Sequence, residues 1–182
     1  ASIFKIHSNI KKTPSSVLFL GRLSSSKKPI ILLEDLKLLK NKNVYFEASF
    51  VGNESPGSNY KRTILKKIEE FSLDAEVSLC DGVKNQDTVY IYNRHVIYVN
   101  LSISGMYDKT IFEAILSGAT PLVCSKDFLR EFGENLFVFK ENDYLNLNDR
   151  LIYLLNPKNL DLINKKKESL LVKVKERHGL KV

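Results

Sequence analysis

The chain has 182 residues, 43% of them hydrophobic and 27% charged, a globular composition and a length for one domain that buries roughly 70% of its unfolded surface. No run approaches about 18 uninterrupted apolar residues, which excludes a membrane-spanning helix. A net charge of +7 and a pI near 9.3 favour contact with phosphate, nucleic acid or anionic lipid.

The opening Ala1-Ser2-Ile3-Phe4-Lys5 lacks a signal-peptide pattern and an initiator Met, so the sequence is expected to come from a longer protein. Residues 1–16 have weak patterning and read as a leader or linker. Val17-Leu18-Phe19-Leu20 is a short apolar run stopped by Gly21, the pattern of a strand buried on both faces. Pro29 then opens a helix with Ile30, Leu33, Leu36 and Leu39 on one side, since Pro is tolerated where the N–H has no partner. A second strand is expected over 44–51, ended by Gly52. Pro56 and Gly57 mark the following loop.

Residues 60–71 predict a helix, 75–80 a third strand, 85–93 a short helix and 95–101 a fourth strand. The polar loop 102–108 leads into a helix over 109–117, stopped by Gly118. Strands five and six are expected at 120–124 and 136–139, and helices at 143–155 and from 159 to about 177. Strands alternating with helices predict an α/β fold, a Rossmann-like doubly wound parallel sheet of about six strands ordered 3-2-1-4-5-6. The domain is expected to span 17–157, with a basic helix over 158–182 packing on it or on a missing N-terminal domain.

Cys80 and Cys124 each end an apolar run and read as small buried residues. Neither sits in a zinc-ligand spacing, and a reducing cytoplasm is the default. His7, His95 and His178 are scattered and read as structural or surface residues. Most lysine pairs read as solvated helix faces, and no RRM-like basic-aromatic motif supports nucleic-acid binding.

Two loops stand apart. Gly21-Arg22-Leu23-Ser24-Ser25-Ser26-Lys27 follows strand one, and Ser102 to Lys109 follows strand four. In the expected order these strands are neighbours, and the crevice between their carboxyl ends is where such sheets bind ligands. Arg22 offers a planar donor fork and Lys27 a mobile charge, a pair suited to a diphosphate. The N-terminus of the 109–117 helix would add backbone N–H groups. Glu113, one turn into that helix, can accept from two ribose hydroxyls. Taken singly, Gly21-Arg22 is as consistent with a plain turn, and Glu113 with a residue complementing the helix dipole. The ordered set is what points to a nucleotide.

Gly21-Arg22, Lys27 and the later Glu113-Ala114-Ile115-Leu116-Ser117-Gly118-Ala119-Thr120-Pro121-Leu122-Val123 resemble the C-terminal domain of GT-B-fold retaining glycosyltransferases, family four or glycosyl transferases group one. The resemblance covers about 16–155. It implies that Arg22 and Lys27 hold the donor diphosphate and Glu113 the donor ribose, while Asp81, Gly82 and Val83 border the base. The family often carries a second Glu eight residues before the ribose Glu, against the donor sugar. Here that position is Gly105, and Asp108, Lys109 and Thr110 of the same loop are the candidates for a donor-sugar or phosphate contact.

The resemblance implies half of an enzyme. It would bind a nucleotide sugar and need no metal or other cofactor. It would transfer the sugar, with retention, in polysaccharide or glycolipid synthesis, only beside an absent acceptor-binding domain. A cytoplasmic location is implied, with a peripheral membrane contact through the basic C-terminal helix as a further expectation. The alternatives are a non-catalytic nucleotide-sugar-binding domain, motivated by Gly105, and another GT-B enzyme such as a nucleotide-sugar epimerase. A phosphorylase lacks support, because no pyridoxal-binding Lys context is evident.

Overall fold

The computed structural model describes residues 3–106, 108–133 and 136–177. Tyr107 of the second loop, His178 and the last residues of the expected C-terminal helix lie outside them. Five parallel strands form one sheet: β1 (Ser16–Leu20), β2 (Glu47–Val51), β3 (Val77–Cys80), β4 (Ile97–Asn100) and β5 (Thr120–Val123), in the order β3-β2-β1-β4-β5. The helices between them are α1 (Pro29–Asn41), α2 (Tyr60–Glu70), α3 (Thr88–Arg94) and α4 (Lys109–Leu116). Then come α5 (Lys126–Phe132), α6 (Tyr144–Leu155) and α7 (Leu160–Arg177).

The chain starts at β1 in mid-sheet, runs outward to β3, then crosses back past β1 to β4. Right-handed crossovers therefore place α1 and α2 on one face and α3 and α4 on the other. α6 packs on α1, and α7 packs on α4 through buried Ile163, Leu170 and Val174. β1 and β4 are closed to solvent on both faces, so they read as continuous apolar runs: Val17 and Leu18 are 0% exposed and Tyr98 is 1% exposed. Among the described residues no helix is long and apolar enough to cross a membrane.

The expected sixth strand is a single parallel bridge, Val123 to Val138. The Val123 amide donates to Phe137 O and the Phe139 amide to Val123 O, at 2.9 and 3.0 Å. Beyond it the Lys140 amide turns away to Asn146 Oδ1 at the start of α6. Phe137 and Phe139 are buried as a strand pattern requires, but pairing stops after one rung. The sheet therefore has five strands rather than six.

β2 begins three residues late because Val44 still donates to Leu39 O at the exit of α1, where Asn43 takes a φ of 56°. The expected short helix divides into a tight turn, Asn85–Asp87, and α3. α5 is a helix that the patterning does not announce, being seven residues long with Phe128 and Phe132 as its buried positions. Cys80 is exposed rather than buried, because β3 is an edge strand with one open side, whereas Cys124 is buried.

The segment before β1 is fastened to α3. Lys12 Nζ donates to Asn93 O and His95 O at 3.1 and 2.9 Å, meeting carbonyls at the helix end. Asn93 donates to Lys5 O and accepts from the His7 amide. His95 is structural: its Nδ1 donates to Ile91 O at 2.7 Å, so its Nε2 accepts from the Ser49 hydroxyl at 3.0 Å. Burial keeps its pKa below the usual value.

Candidate functional site

At the end of β1 the backbone goes on pairing after the strand has formally stopped. The Gly21 amide donates to Val51 O and the Leu23 amide to Asn53 O, both at 3.0 Å. A Cβ on Gly52 would sit 1.8 Å from Gly21 O, so only glycine lets the two loops lie this close. Buried Leu23 anchors the turn, and exposed Arg22 is directed outward from it. The chain then makes the turn Ser25–Lys27, and Lys28, with φ 54°, sets the direction of α1. Lys27 is thereby brought back toward β4.

At the end of β4 a polar network is organised around Asp108, the N-cap of α4. Its Oδ2 accepts from Lys27 Nζ at 2.8 Å and from Asn100 Nδ2 and Ser102 Oγ at 3.0 Å each. Its Oδ1 accepts from Thr110 Oγ1 at 2.6 Å and the Thr110 amide at 3.2 Å. Because the Thr110 hydroxyl gives its proton to the carboxylate, the buried Tyr98 hydroxyl, 2.6 Å away, donates to Thr110. Burial by itself would raise the Asp108 carboxyl, but Lys27, Thr110 and Asn100 hold it well below the usual carboxylate range.

Two cavities meet at these loops. A smaller one of about 200 Å³ lies between the ends of β1 and β4, with Arg22, Lys27, Asn100, Ser102, Asp108 and Thr110 in its wall. A larger one of about 460 Å³ lies over β1, β2 and β3, with Arg22, Asn53, Glu54, Gly82, Val83 and Thr88 in its wall. Leu20, Gly21 and Arg22 belong to both, so Arg22 stands at the junction. A diphosphate between Arg22 and Lys27 would leave the larger cavity open to the rest of a nucleotide.

Other site candidates lie nearby without joining this wall. Glu113 is on α4 and accepts from the Tyr92 hydroxyl at 3.5 Å. Partial burial raises its carboxyl, Tyr92 opposes that, and Asp108 adds to it. Asp81 pairs with Lys61 at 2.5 Å across the mouth of the β3 loop. Gly105 has a φ of 83°, and its amide donates to Asp127 Oδ2 at 2.5 Å. Lys109 is exposed at the first turn of α4.

Sequence reasoning placed Ser102 in the second loop without giving it a role and overlooked Asn100, although a polar residue ending an apolar strand at the crevice was a usable signal. It also overlooked Asn53, whose Oδ1 accepts from the Gly82 amide at 2.9 Å and ties the β2 and β3 loops together. No local pattern marks that contact. Among the described residues no three His, Cys, Asp or Glu side chains gather as metal ligands.

The family model described as glycosyl transferases group 1 matches residues 2–169. The chain belongs to the glycosyl transferases group 1 family. No curated protein matches it. Among solved structures it resembles a variant of S. aureus TarM in complex with fondaparinux, alpha-GlcNAc-glycerol and UDP. That match has a TM-score of 0.78 and 17% identity and covers 97% of this chain and 35% of TarM. Anabaena HepE in complex with UDP and glucose gives a TM-score of 0.79 and 16% identity, covering 96% of this chain and 50% of HepE. The C-terminal domain of the group 1 family protein LpcC from Francisella tularensis gives a TM-score of 0.77 and 16% identity, covering 97% and 96%.

At these identities the likeness shows the fold: this group 1 chain has the Rossmann-like half of the GT-B architecture. It spans about a third of TarM and half of HepE, but nearly all of the LpcC domain.

Proposed function

We propose that this chain is the donor-binding domain of a glycosyltransferase that moves a sugar, with retention, from a nucleotide-diphosphate sugar to an acceptor hydroxyl in polysaccharide or glycolipid synthesis. The observation that carries the reading is Arg22, which joins a cavity holding Lys27 to a larger one between the β2 and β3 loops. The UDP bound in the TarM and HepE structures supports a nucleotide in such a crevice.

In this reading Arg22 and Lys27 neutralise the diphosphate, a task that needs no metal once two cations converge on it. Glu113 accepts from the ribose 2′- and 3′-hydroxyls, and Gly82 and Val83 border the base. The bond from the sugar anomeric carbon to the diphosphate oxygen breaks, and the acceptor oxygen bonds to that carbon on the same face. The acceptor proton passes to the departing diphosphate. The acceptor is held by a second domain, so donor binding does not require it. A cytoplasmic site of action, at a membrane surface through exposed Lys165 and Lys166 of α7, belongs to the same proposal.

A second reading, donor binding without turnover, rests on Gly105. Its left-handed backbone disfavours a glutamate at this point, so no carboxylate of this loop position meets the donor sugar. Thermal shifts with UDP-, GDP- and ADP-sugars test donor binding. A ligand at 100-fold over its Kd stabilises by about 2.7 kcal/mol, and one of the three is expected to do so. Equal melting with all of them would overturn the reading.

A further inference from the structure

Five donor groups converge on the Asp108 carboxylate: Lys27 Nζ, Asn100 Nδ2, the Ser102 hydroxyl, and the amide and hydroxyl of Thr110. A carboxylate offers about four lone-pair sites, so this one has no capacity left for a sugar hydroxyl. Its side chain is 12% exposed, and its position at the wall of the smaller cavity is fixed from both oxygens. The same five donors, with the first turn of α4, are the set that would otherwise receive a phosphate oxygen. An internal anion already fills it.

Resting on the donor-binding reading above, we infer that Asp108 is a positioning residue. It holds Lys27 at the crevice and, as a built-in counter-ion, limits how strongly a diphosphate binds there. Lys27 has three N–H groups, and two have acceptors in Asp108 and the Ser102 hydroxyl. A diphosphate takes the third and shares the ammonium with the carboxylate beside it. Like charges at this separation repel where water is partly excluded. The leaving diphosphate is thus held by an ammonium whose charge is partly spoken for, which favours its release.

The probe is inorganic pyrophosphate, whose binding does not depend on any base, measured by titration calorimetry on the whole chain. Asp108→Asn keeps a helix-capping oxygen and removes the charge. It is expected to bind pyrophosphate roughly tenfold more tightly than the parent, the scale of one partly screened charge. The gain should shrink in a Lys27→Met background, where only the direct carboxylate–pyrophosphate repulsion is left to relieve. Asp108→Ser also caps a helix but is too short to span both partners, and it should show the same gain if the Asn variant folds poorly.

Reductive methylation of Lys27, followed by mass spectrometry, is expected to be faster in both variants, because the ammonium is no longer pinned. A residue that merely caps α4 would change melting without raising affinity. Equal or weaker pyrophosphate binding by folded variants, no binding by parent and variants alike, or unchanged Lys27 methylation overturns the inference. If pyrophosphate behaves as expected but UDP, GDP and ADP bind no better than pyrophosphate, the inference stands and the nucleotide-sugar reading fails.

Discussion

Arg22 and Lys27 reach one cavity wall from a single loop, one exposed and the other drawn in by Asp108. Replacing either by Ala is expected to weaken nucleoside diphosphate binding by about 1.5–3 kcal/mol, the range for charge-assisted hydrogen bonds. Nucleoside binding should hardly change, and calorimetry with a matched nucleoside and diphosphate checks the difference. Glu113 is a different case, because its structural partner is Tyr92 and it stands outside the two cavity walls. Glu113→Gln is expected to lower affinity for an ordinary nucleotide by about 1–3 kcal/mol. A 2′,3′-dideoxy nucleotide already lacks those hydroxyls, so the same substitution should barely affect it, and the two losses should be non-additive. Equal losses for both ligands would leave Glu113 as the partner of Tyr92 and nothing more.

Elements meet at points where one atom decides. Gly52 is such a point between the β1 and β2 loops: Gly52→Ala drives a methyl into Gly21 O, and the backbone beside Arg22 must move. The expected loss is about 1–3 kcal/mol of stability, as for an overpacked core, together with weaker diphosphate binding, both readable from denaturation and calorimetry. Asp35, on α1 where it packs against α6, is 1% exposed, and neither carboxylate oxygen is hydrogen-bonded, while its carbonyl accepts from Asn148. Burial pushes its carboxyl up to about 7.

The folded chain therefore holds the Asp35 proton at a pH where the unfolded chain has released it. Stability from this group is fully present below about pH 4 and falls as pH rises toward about 7. Asp35→Asn is expected to remove that decline and to stabilise the domain by a few kcal/mol at pH 8. A pH series of urea melts on both proteins checks it, and parallel curves would refute it.

At the scale of the molecule, the sheet places the β1 and β4 ends side by side and leaves the crevice above them open. In the proposed reading a second domain holds the acceptor, so the chain is expected to bind a nucleoside diphosphate yet transfer no sugar by itself. Incubation with a labelled donor and candidate acceptors tests this: turnover by the 182-residue chain alone would refute the division of labour.

The sequence by itself determined the strand–helix alternation and the central place of β1, because buried strands must be apolar throughout, and it nominated Arg22 and Lys27 because ligand loops must break that pattern. It could not determine which apolar run completes a sheet rung. Leu136 to Phe139 has the pattern, yet its pairing with β5 ends at one bridge, Val123 to Val138. It could not show that Cys80 lies on an open edge, since edge and centre differ by neighbours and not by composition.

Only the tertiary structure brought Lys27, Asn100 and Ser102 onto Asp108, and only there did an N-cap become a counter-ion. The physical reason is range. Periodicity and turn chemistry act over a few residues, whereas Lys27 and Asp108 are 81 residues apart in sequence and meet only when β1 and β4 pair.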